Sequence, residues 1–445
     1  MTRPPRRPMV RPWALAVPVI VLILAAPLLR PLRAPVGASP RERVTLESVR
    51  SVLVEGTLLL NPGRLQPADP VLVTGGRIFS QDPPVYDAVL AGVGWGVERF
   101  GVRVATNPSL FAYLLTLFAV TLPTAIAGGL IYRATRVFEL PRPWRFGLAL
   151  ACVFASGWFA YATVLLPHAP AAALAVSAIT CAVQFAQSKR PGRALGWLAL
   201  GGLCGATAGV IEPLAIWALG AVALAAVTAR TQRRWRVFGL ILTIAGAAAP
   251  LALHLTLNSA MTGDWRPPRW HVMLPTSVPA ATVIDDYDAV PSGWSGLGRG
   301  VGRLLTLTVG EHGLLSHFPV LLLGLVGSAM ALRRHWTGQI KALAAATVTA
   351  LVVICVYKMI ARPDAIDAGY AAPRLATVAP VLLLWAGTWL RRKHGTTVWI
   401  LAGVALAVST AATLIGAASP PPAEAYSRYT FVEAIERLVR GDRPD

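Results

Sequence analysis
Charge is what this 445-residue sequence is short of. Asp, Glu, Lys and Arg together make up 14% of it, where a soluble domain carries about 25%. Hydrophobic residues make up 55% and the mean hydropathy is +0.57, so polar surface is too scant to cover a water-soluble body. Acid is scarcer than base: 21 Asp and Glu stand against 41 Lys and Arg, a formal charge of +20. No basic-aromatic motif of a nucleic-acid binder accompanies that excess, so no nucleic acid is expected as a partner. Cysteine is scarce too. Cys152, Cys181, Cys204 and Cys355 each lie in an apolar stretch without metal-ligand spacing. They read as small packing residues rather than a disulfide framework. Glycine (39) and proline (36) are plentiful, which membrane helices tolerate because neighbouring helices re-satisfy the freed backbone groups.

What the sequence does have is apolar runs. Stretches near 13–30, 109–132, 146–165, 170–187, 194–211, 213–229, 236–257, 314–332, 342–360, 374–390 and 397–418 are each read as a membrane span. The arginines explain themselves against that count. Arg3, Arg6, Arg7 and Arg11 precede the first run; Arg133, Arg136, Arg142 and Arg145 follow the second. Lys189, Arg190 and Arg193, then Arg230, Arg233, Arg234 and Arg236, then Arg333, Arg334 and Lys341, and finally Arg391, Arg392 and Lys393 occupy later loops. Every second loop is basic, and those between, such as Ile211-Glu212-Pro213, are nearly free of Lys and Arg. Positive loops face the cytoplasm. Eleven spans put all of them there, with the N-terminus cytoplasmic and the C-terminus outside. The first run reads alternatively as a signal peptide; either way residue 40 onward lies outside.

The expected architecture is thus an all-α polytopic membrane protein. It has a basic cytoplasmic N-terminus (1–12), about eleven transmembrane helices (13–418) and a tail (419–445) in which Phe431, Ile435 and Leu438 recur at helical spacing. Three outer segments are too long to be mere connectors: about 31–108, 258–313 and 361–373. In the first, Pro40 to Thr57 predicts a juxtamembrane helix ended by Gly56, with Val49, Val52 and Leu53 on one face. A strand-like stub at Gly76 to Ser80 then meets Pro83-Pro84 and a further apolar helix. In the second, Asp285-Asp286-Tyr287-Asp288 has the look of a calcium or magnesium ligand run. It lacks the glycine and closing glutamate of an EF-hand loop and reads as a solvated loop. His312 and His317 stand at the mouth of a span without a third ligand to suggest zinc.

Taken in order, these outer-loop motifs resemble those of the GT-C membrane glycosyltransferases, whose relatives include dolichyl-phosphate-mannose–protein mannosyltransferases and aminoarabinose transferases. The ordered set is Ser39-Pro40-Arg41-Glu42-Arg43 opening the juxtamembrane helix, Phe79-Ser80-Gln81-Asp82-Pro83-Pro84, Val210-Ile211-Glu212-Pro213, Gly263-Asp264-Trp265-Arg266-Pro267-Pro268, Gly310-Glu311-His312-Gly313 through Ser316 to Pro319, and Gly369 to Arg374-Leu375. It covers about residues 39–390.

The resemblance implies an enzyme that moves a sugar from a polyprenyl phosphate to a protein, lipid or glycan acceptor on the extracytoplasmic side, with inversion, in a bacterial inner membrane. It places the general base at Glu42, where relatives carry Asp, with Glu47 as the alternative acid. Arg374 falls to the donor phosphate, and His312, Glu212 and Asp82 to the cavity. Asp82 stands where a basic residue is usual. An acid beside a phosphate repels it unless a cation bridges the two, so a divalent cation is compatible with the pattern. The other readings of the same spans are a transporter or flippase for a lipid-linked or anionic solute, and a catalytically inactive assembly factor. Internal repeats and mid-membrane charges mark a transporter; no clear repeat is found, and Glu212 and Arg374 fall at outer ends of spans.

Overall fold
The computed structural model describes residues 12–418 apart from 33–38, 266–300, 361–372 and several breaks of one to three residues, together with isolated positions between 432 and 439. The chain is a helical membrane body capped at one end by the segment that follows the first span. Helix α1 (Pro12–Ala25) runs through two 3-10 turns to Leu32. Then come α2 (Pro40–Arg50), a hairpin of β1 (Val71–Thr74) and β2 (Arg77–Ser80), and α3 (Pro84–Arg99). The body continues with α4 (Pro108–Thr116), α5 (Leu122–Ala134), α6 (Arg142–Phe154), the single turn α7 (Trp158–Tyr161), α8 (His168–Gln187), α9 (Pro191–Ile211), α10 (Trp217–Val227) and α11 (Arg233–Thr262). It closes with α12 (Leu314–His317), α13 (Leu321–Arg333), α14 (Gly338–Ile360), α15 (Ala379–Leu384), α16 (Ala386–Leu390) and α17 (Thr396–Ala418).

Among the described residues, seven helical segments are long and apolar enough to cross a bilayer: Trp13–Leu32, Pro108–Phe138, His168–Gln187, Gly192–Ile211, Arg233–Thr262, Gly338–Tyr357 and Thr396–Ala418. The other four expected spans are helical but short or broken, each for a visible reason. The run at 146–165 breaks at Gly157, whose φ of 79° is left-handed and against which the Phe318 ring packs so closely that a Cβ would lie 2.6 Å from it. The run at 213–229 starts with a 3-10 turn at Pro213–Ala215. That at 314–332 is split by Phe318-Pro319-Val320, and that at 374–390 opens as a 3-10 turn (Pro373–Thr377) and breaks again at Trp385.

Small residues hold the bundle together, as expected where lipid removes the hydrophobic drive between helices. A Cβ on Gly202 of α9 would lie 2.1 Å from the Thr243 carbonyl of α11, and one on Gly246 of α11 2.0 Å from the Ala199 carbonyl of α9. The two backbones therefore touch. Gly327 of α13 similarly abuts the Trp385 carbonyl, and Thr388 Oγ1 donates to the Gly327 carbonyl at 2.6 Å. All four cysteines are free thiols, Cys152 and Cys181 buried.

The juxtamembrane helix matches its sequence pattern. Pro40 fits the first turn because its missing N–H would be unpaired there. After α2 the chain makes one wider π turn, Ser51–Glu55, and stops at Gly56 with φ 68°. Val49 and Leu53 press on Gly94 of α3, where a Cβ would be 3.1 Å from Leu53 Cδ1. The β-stub has a partner that the sequence pattern did not suggest: β1 and β2 pair antiparallel with Val71 opposite Ser80 and Leu72 opposite Phe79. Val71 packs with Val44 and Leu60, while Leu72 and Phe79 meet Met261 at the end of α11.

Candidate active site
Four of the six candidate residues can be placed with their side chains. Glu42 lies in the first turn of α2, where the helix dipole favours a carboxylate. It is buried, and both its oxygens are engaged: Leu165 N–H donates to Oε1 at 2.8 Å, and Arg30 Nη1 lies 2.9 Å from Oε2. Arg30 closes the first span, and its own backbone N–H donates to the Thr163 carbonyl at 3.0 Å. The acid is thus tied to the end of the first span and to the turn before α8 together.

Asp82 is buried beside it. Arg41 donates to Asp82 Oδ1 through Nη2 at 2.7 Å and Nε at 3.2 Å, Thr45 Oγ1 donates to Oδ2 at 3.1 Å, and the Asp82 N–H donates to Ser80 Oγ at 3.1 Å. The aspartate in the Pro-Pro turn therefore carries its own cation from the preceding helix. Burial works against the Arg41 charge, but Asp82, and behind it Glu212 and Tyr86, outweigh burial and hold the proton more tightly than usual. Glu212, at the break between α9 and α10, is buried with its Oε2 3.0 Å from Nδ1 of His168, the first residue of α8. Tyr161 meets the His168 ring edge-on, with centroids 5.7 Å apart.

Asp87, in the first turn of α3, completes the cluster. Ser48 Oγ donates to its Oδ2 at 2.7 Å. Burial pushes the Asp87 carboxyl well above the usual range, and the Asp82 charge pushes it further, with Ser48 and Ser80 opposing. Its neighbour Tyr86 is also held protonated, first by burial, then by the charges of Asp82 and Asp87. Glu42, Asp82, Asp87, Glu212, Arg30, Arg41 and His168 thus make one largely buried layer where α2 and α3 meet the adjoining ends of the first span, α8 and α9.

Glu47 lies elsewhere: its Oε1 takes a hydrogen bond from Arg64 Nη1 at 2.9 Å, which also reaches Glu55 at 3.5 Å. That network faces solvent. Arg43 is spent on Asp69. The backbone of Arg374 sits in the 3-10 turn Pro373–Thr377; its side chain lies outside the described residues, as do His312 and Asp285, Asp286 and Asp288. Among the described residues no three His, Cys, Asp or Glu side chains are grouped to hold a metal ion.

Sequence reasoning missed Arg30, Arg41, His168, Tyr86 and Asp87. No local signal marks them. Arg30 reads as a flank of the first span, and His168 as the start of a span after a loop free of Lys and Arg.

The fold of the chain is similar to that of solved GT-C membrane glycosyltransferases. The solved structure of ArnT from Cupriavidus metallidurans in the apo state superposes with a TM-score of 0.58 at 18% identity, covering 91% of this chain and 64% of that one. The same protein bound to undecaprenyl phosphate gives 0.55 at 16% identity, over 98% and 74%. The Archaeoglobus fulgidus oligosaccharyltransferase in its apo form gives 0.51 at 12% identity, over 94% and 57%. The chain thus spans under two thirds of the length of the apo ArnT and oligosaccharyltransferase chains. No family model and no curated protein matches the sequence.

Proposed function
We propose that the chain is a membrane glycosyltransferase that transfers a sugar from a polyprenyl-phosphate donor to an acceptor on the extracytoplasmic side. The observation that carries this reading is the placement of Glu42. A carboxylate at the start of α2, directly beyond the end of the first span, is held between Arg30 and the Leu165 N–H. A donor whose tail lies in the bilayer would bring its anomeric carbon to that level.

In this reading the acceptor hydroxyl attacks the anomeric carbon from the face opposite the phosphate. The new C–O bond forms as the bond to the phosphate oxygen breaks, inverting the centre. The polyprenyl phosphate leaves with the electron pair, and Glu42 takes the hydroxyl proton. Arg374 stabilises the departing phosphate, and His312, Glu212 and Asp82 line the outer cavity. Asp82 is neutralised by Arg41, so its repulsion of the donor is met without calling on a divalent cation. Orientation follows the basic loops: N-terminus in the cytoplasm, C-terminus outside, in a bacterial inner membrane. The fold neighbours fit the donor class, since ArnT was solved with undecaprenyl phosphate and the archaeal oligosaccharyltransferase AglB with dolichol-phosphate and an inhibitory peptide. The layer of acids and bases sits at one end of the helices rather than along a path between them, which favours transfer at one face over transport.

The test is native mass spectrometry of the protein in mild detergent beside Arg374→Ala. A co-purified polyprenyl phosphate or its glycoside that is lost in the variant supports the reading. Bulk phospholipid alone, the same in both proteins, counts against it.

A further inference from the structure
Arg41 Nη1 and the Tyr86 hydroxyl, both at the buried layer, make no hydrogen bond among the described residues. Arg41 uses Nε and Nη2 on Asp82; Nη1, on the other edge of the guanidinium, makes no hydrogen bond among the described residues, and the side chain is 16% exposed. The Tyr86 hydroxyl is more unusual. The residue is 1% exposed, yet Oη has no hydrogen-bond partner among the described residues. A buried hydroxyl left unpaired costs about 1–3 kcal/mol, and native proteins rarely leave one so. Tyr86 lies in the first turn of α3, its N–H donating to the Pro83 carbonyl at 2.8 Å, four residues beyond the Asp82 that holds Arg41, so the two residues belong to one locus; Tyr86 feels the charges of Asp82, Asp87 and Arg41 there. Among the carboxylates around them, Glu42 is paired with Arg30, Asp82 with Arg41 and Glu212 with His168, while Asp87 takes a hydrogen bond from Ser48 on Oδ2.

We infer that the open edge of Arg41 and the hydroxyl of Tyr86 form an anion subsite that binds phosphate oxygens, with Asp82 as the strut that aims the guanidinium. This rests on the reading of the chain as a polyprenyl-phosphate-dependent transferase, and it adds to Arg374 a second set of phosphate contacts beside Glu42. The planar guanidinium suits the task, because one edge can hold a carboxylate while the other meets a phosphate. A neutral phenol donates to the anion without adding charge. Neither residue reacts; both are binding and positioning residues.

The decisive variant is Tyr86→Phe, which removes only an atom with no hydrogen-bond partner among the described residues and keeps the ring that packs in the core. Binding of undecaprenyl phosphate is measured on the purified full chain, with inorganic phosphate as competitor and thermal unfolding as control. The expected result is unfolding at or above the wild-type temperature with affinity reduced about 10-fold or more, the scale of a hydrogen bond to a charged group. Competition by inorganic phosphate assigns the contact to the phosphate itself; a loss seen only with the lipid assigns it to the anchored headgroup, and either supports the subsite. Arg41→Ala strands Asp82, so the guanidinium is tested as Arg41→Met/Asp82→Asn, for which a similar loss is expected. Wild-type affinity in Tyr86→Phe and in the double variant, with binding still lost in Arg374→Ala, overturns the subsite and leaves the functional reading standing. Absence of undecaprenyl phosphate binding by the wild type overturns both.

Discussion

Arg30 Nη1 lies 2.9 Å from Glu42 Oε2 with both side chains buried, 5% and 8% exposed. The candidate base and its counter-ion form one unit joining the first span to α2. Removing one partner of a buried pair strands the other charge and costs about 3–5 kcal/mol. Arg30→Met should lower unfolding stability in detergent by about that amount, and Arg30→Met/Glu42→Gln by clearly less than the sum of the single changes. A double-mutant cycle on unfolding measures this; additive losses would show that the two side chains are not coupled.

Glu42 and Glu47 were the two acids the resemblance offered, and their surroundings now separate them. Glu42→Gln keeps an oxygen for the Leu165 N–H but cannot take a proton. It removes the carboxylate charge beside Arg30 and should unfold more readily, so the comparison is made on folded, inserted protein; transfer by that protein should fall by about 100-fold or more, the usual contribution of a general base. Glu47→Gln loses only a hydrogen bond from the solvent-facing Arg64 and should transfer sugar at close to the wild-type rate. Comparing the two variants in proteoliposomes decides the matter: full activity in Glu42→Gln removes Glu42 as the base, and loss confined to Glu47→Gln would move the chemistry to the loop surface.

Asp87 gives the protein a pH signature. Burial, and then the Asp82 charge, hold its carboxyl well above the usual carboxylate range, so between the free and the folded value the native state holds a proton that the unfolded chain has released. With more protons bound in the native state, stability falls as pH rises through that window, by up to about 1.4 kcal/mol per pH unit. Asp87→Asn can still accept from Ser48 and does not titrate. The variant should match wild type near pH 4 and become progressively more stable than it as the pH rises from there. Unfolding curves that stay parallel across that range would refute the assignment.

Much of this was legible in the chain, and the reasons differ by level. The juxtamembrane helix could be read to its last residue because Pro40 and Gly56 are local signals with fixed backbone consequences. The apolar segments could be placed because hydropathy needs no partner, but four of them are short or broken where Gly157, Pro213, Pro319 and Trp385 interrupt the helix, and a hydropathy window averages over such breaks. The partners in the site were not legible. Leu165 is 123 residues from Glu42 and Arg41 is 41 from Asp82. Asp82 in isolation looks like an acid beside a phosphate; only the fold shows that Arg41 answers it.

The α9–α11 contact offers a test of the packing itself. Ala at Gly246 would set a methyl 2.0 Å from the Ala199 carbonyl, so the helices must separate, and overpacking of this kind costs about 1–3 kcal/mol. Gly403 in α17 has nothing within 4 Å of the same position, and there Ala should stabilise by about 0.5–1 kcal/mol through helix propensity. Opposite signs for Gly246→Ala and Gly403→Ala in one unfolding assay are expected. Equal effects would mean that the glycines are not what brings α9 and α11 together.

Topology links the buried layer to a side of the membrane. Glu42, Asp82 and Glu212 share one level of the bundle; a cytoplasmic N-terminus and one crossing before Glu42 assign that level to the outside, and an odd total of crossings puts the C-terminus on the same side. A reporter active only outside the cytoplasm, fused after Asp445, should be active, while one inserted after Lys393 should be silent. An inactive C-terminal fusion would mean that one of the short segments at 146–165, 213–229, 314–332 or 374–390 does not cross. The same pair of fusions carrying Glu42→Gln should report the same sides, since the carboxylate holds the cap on the bundle and takes no part in setting its orientation, which the arginines of the alternate loops decide.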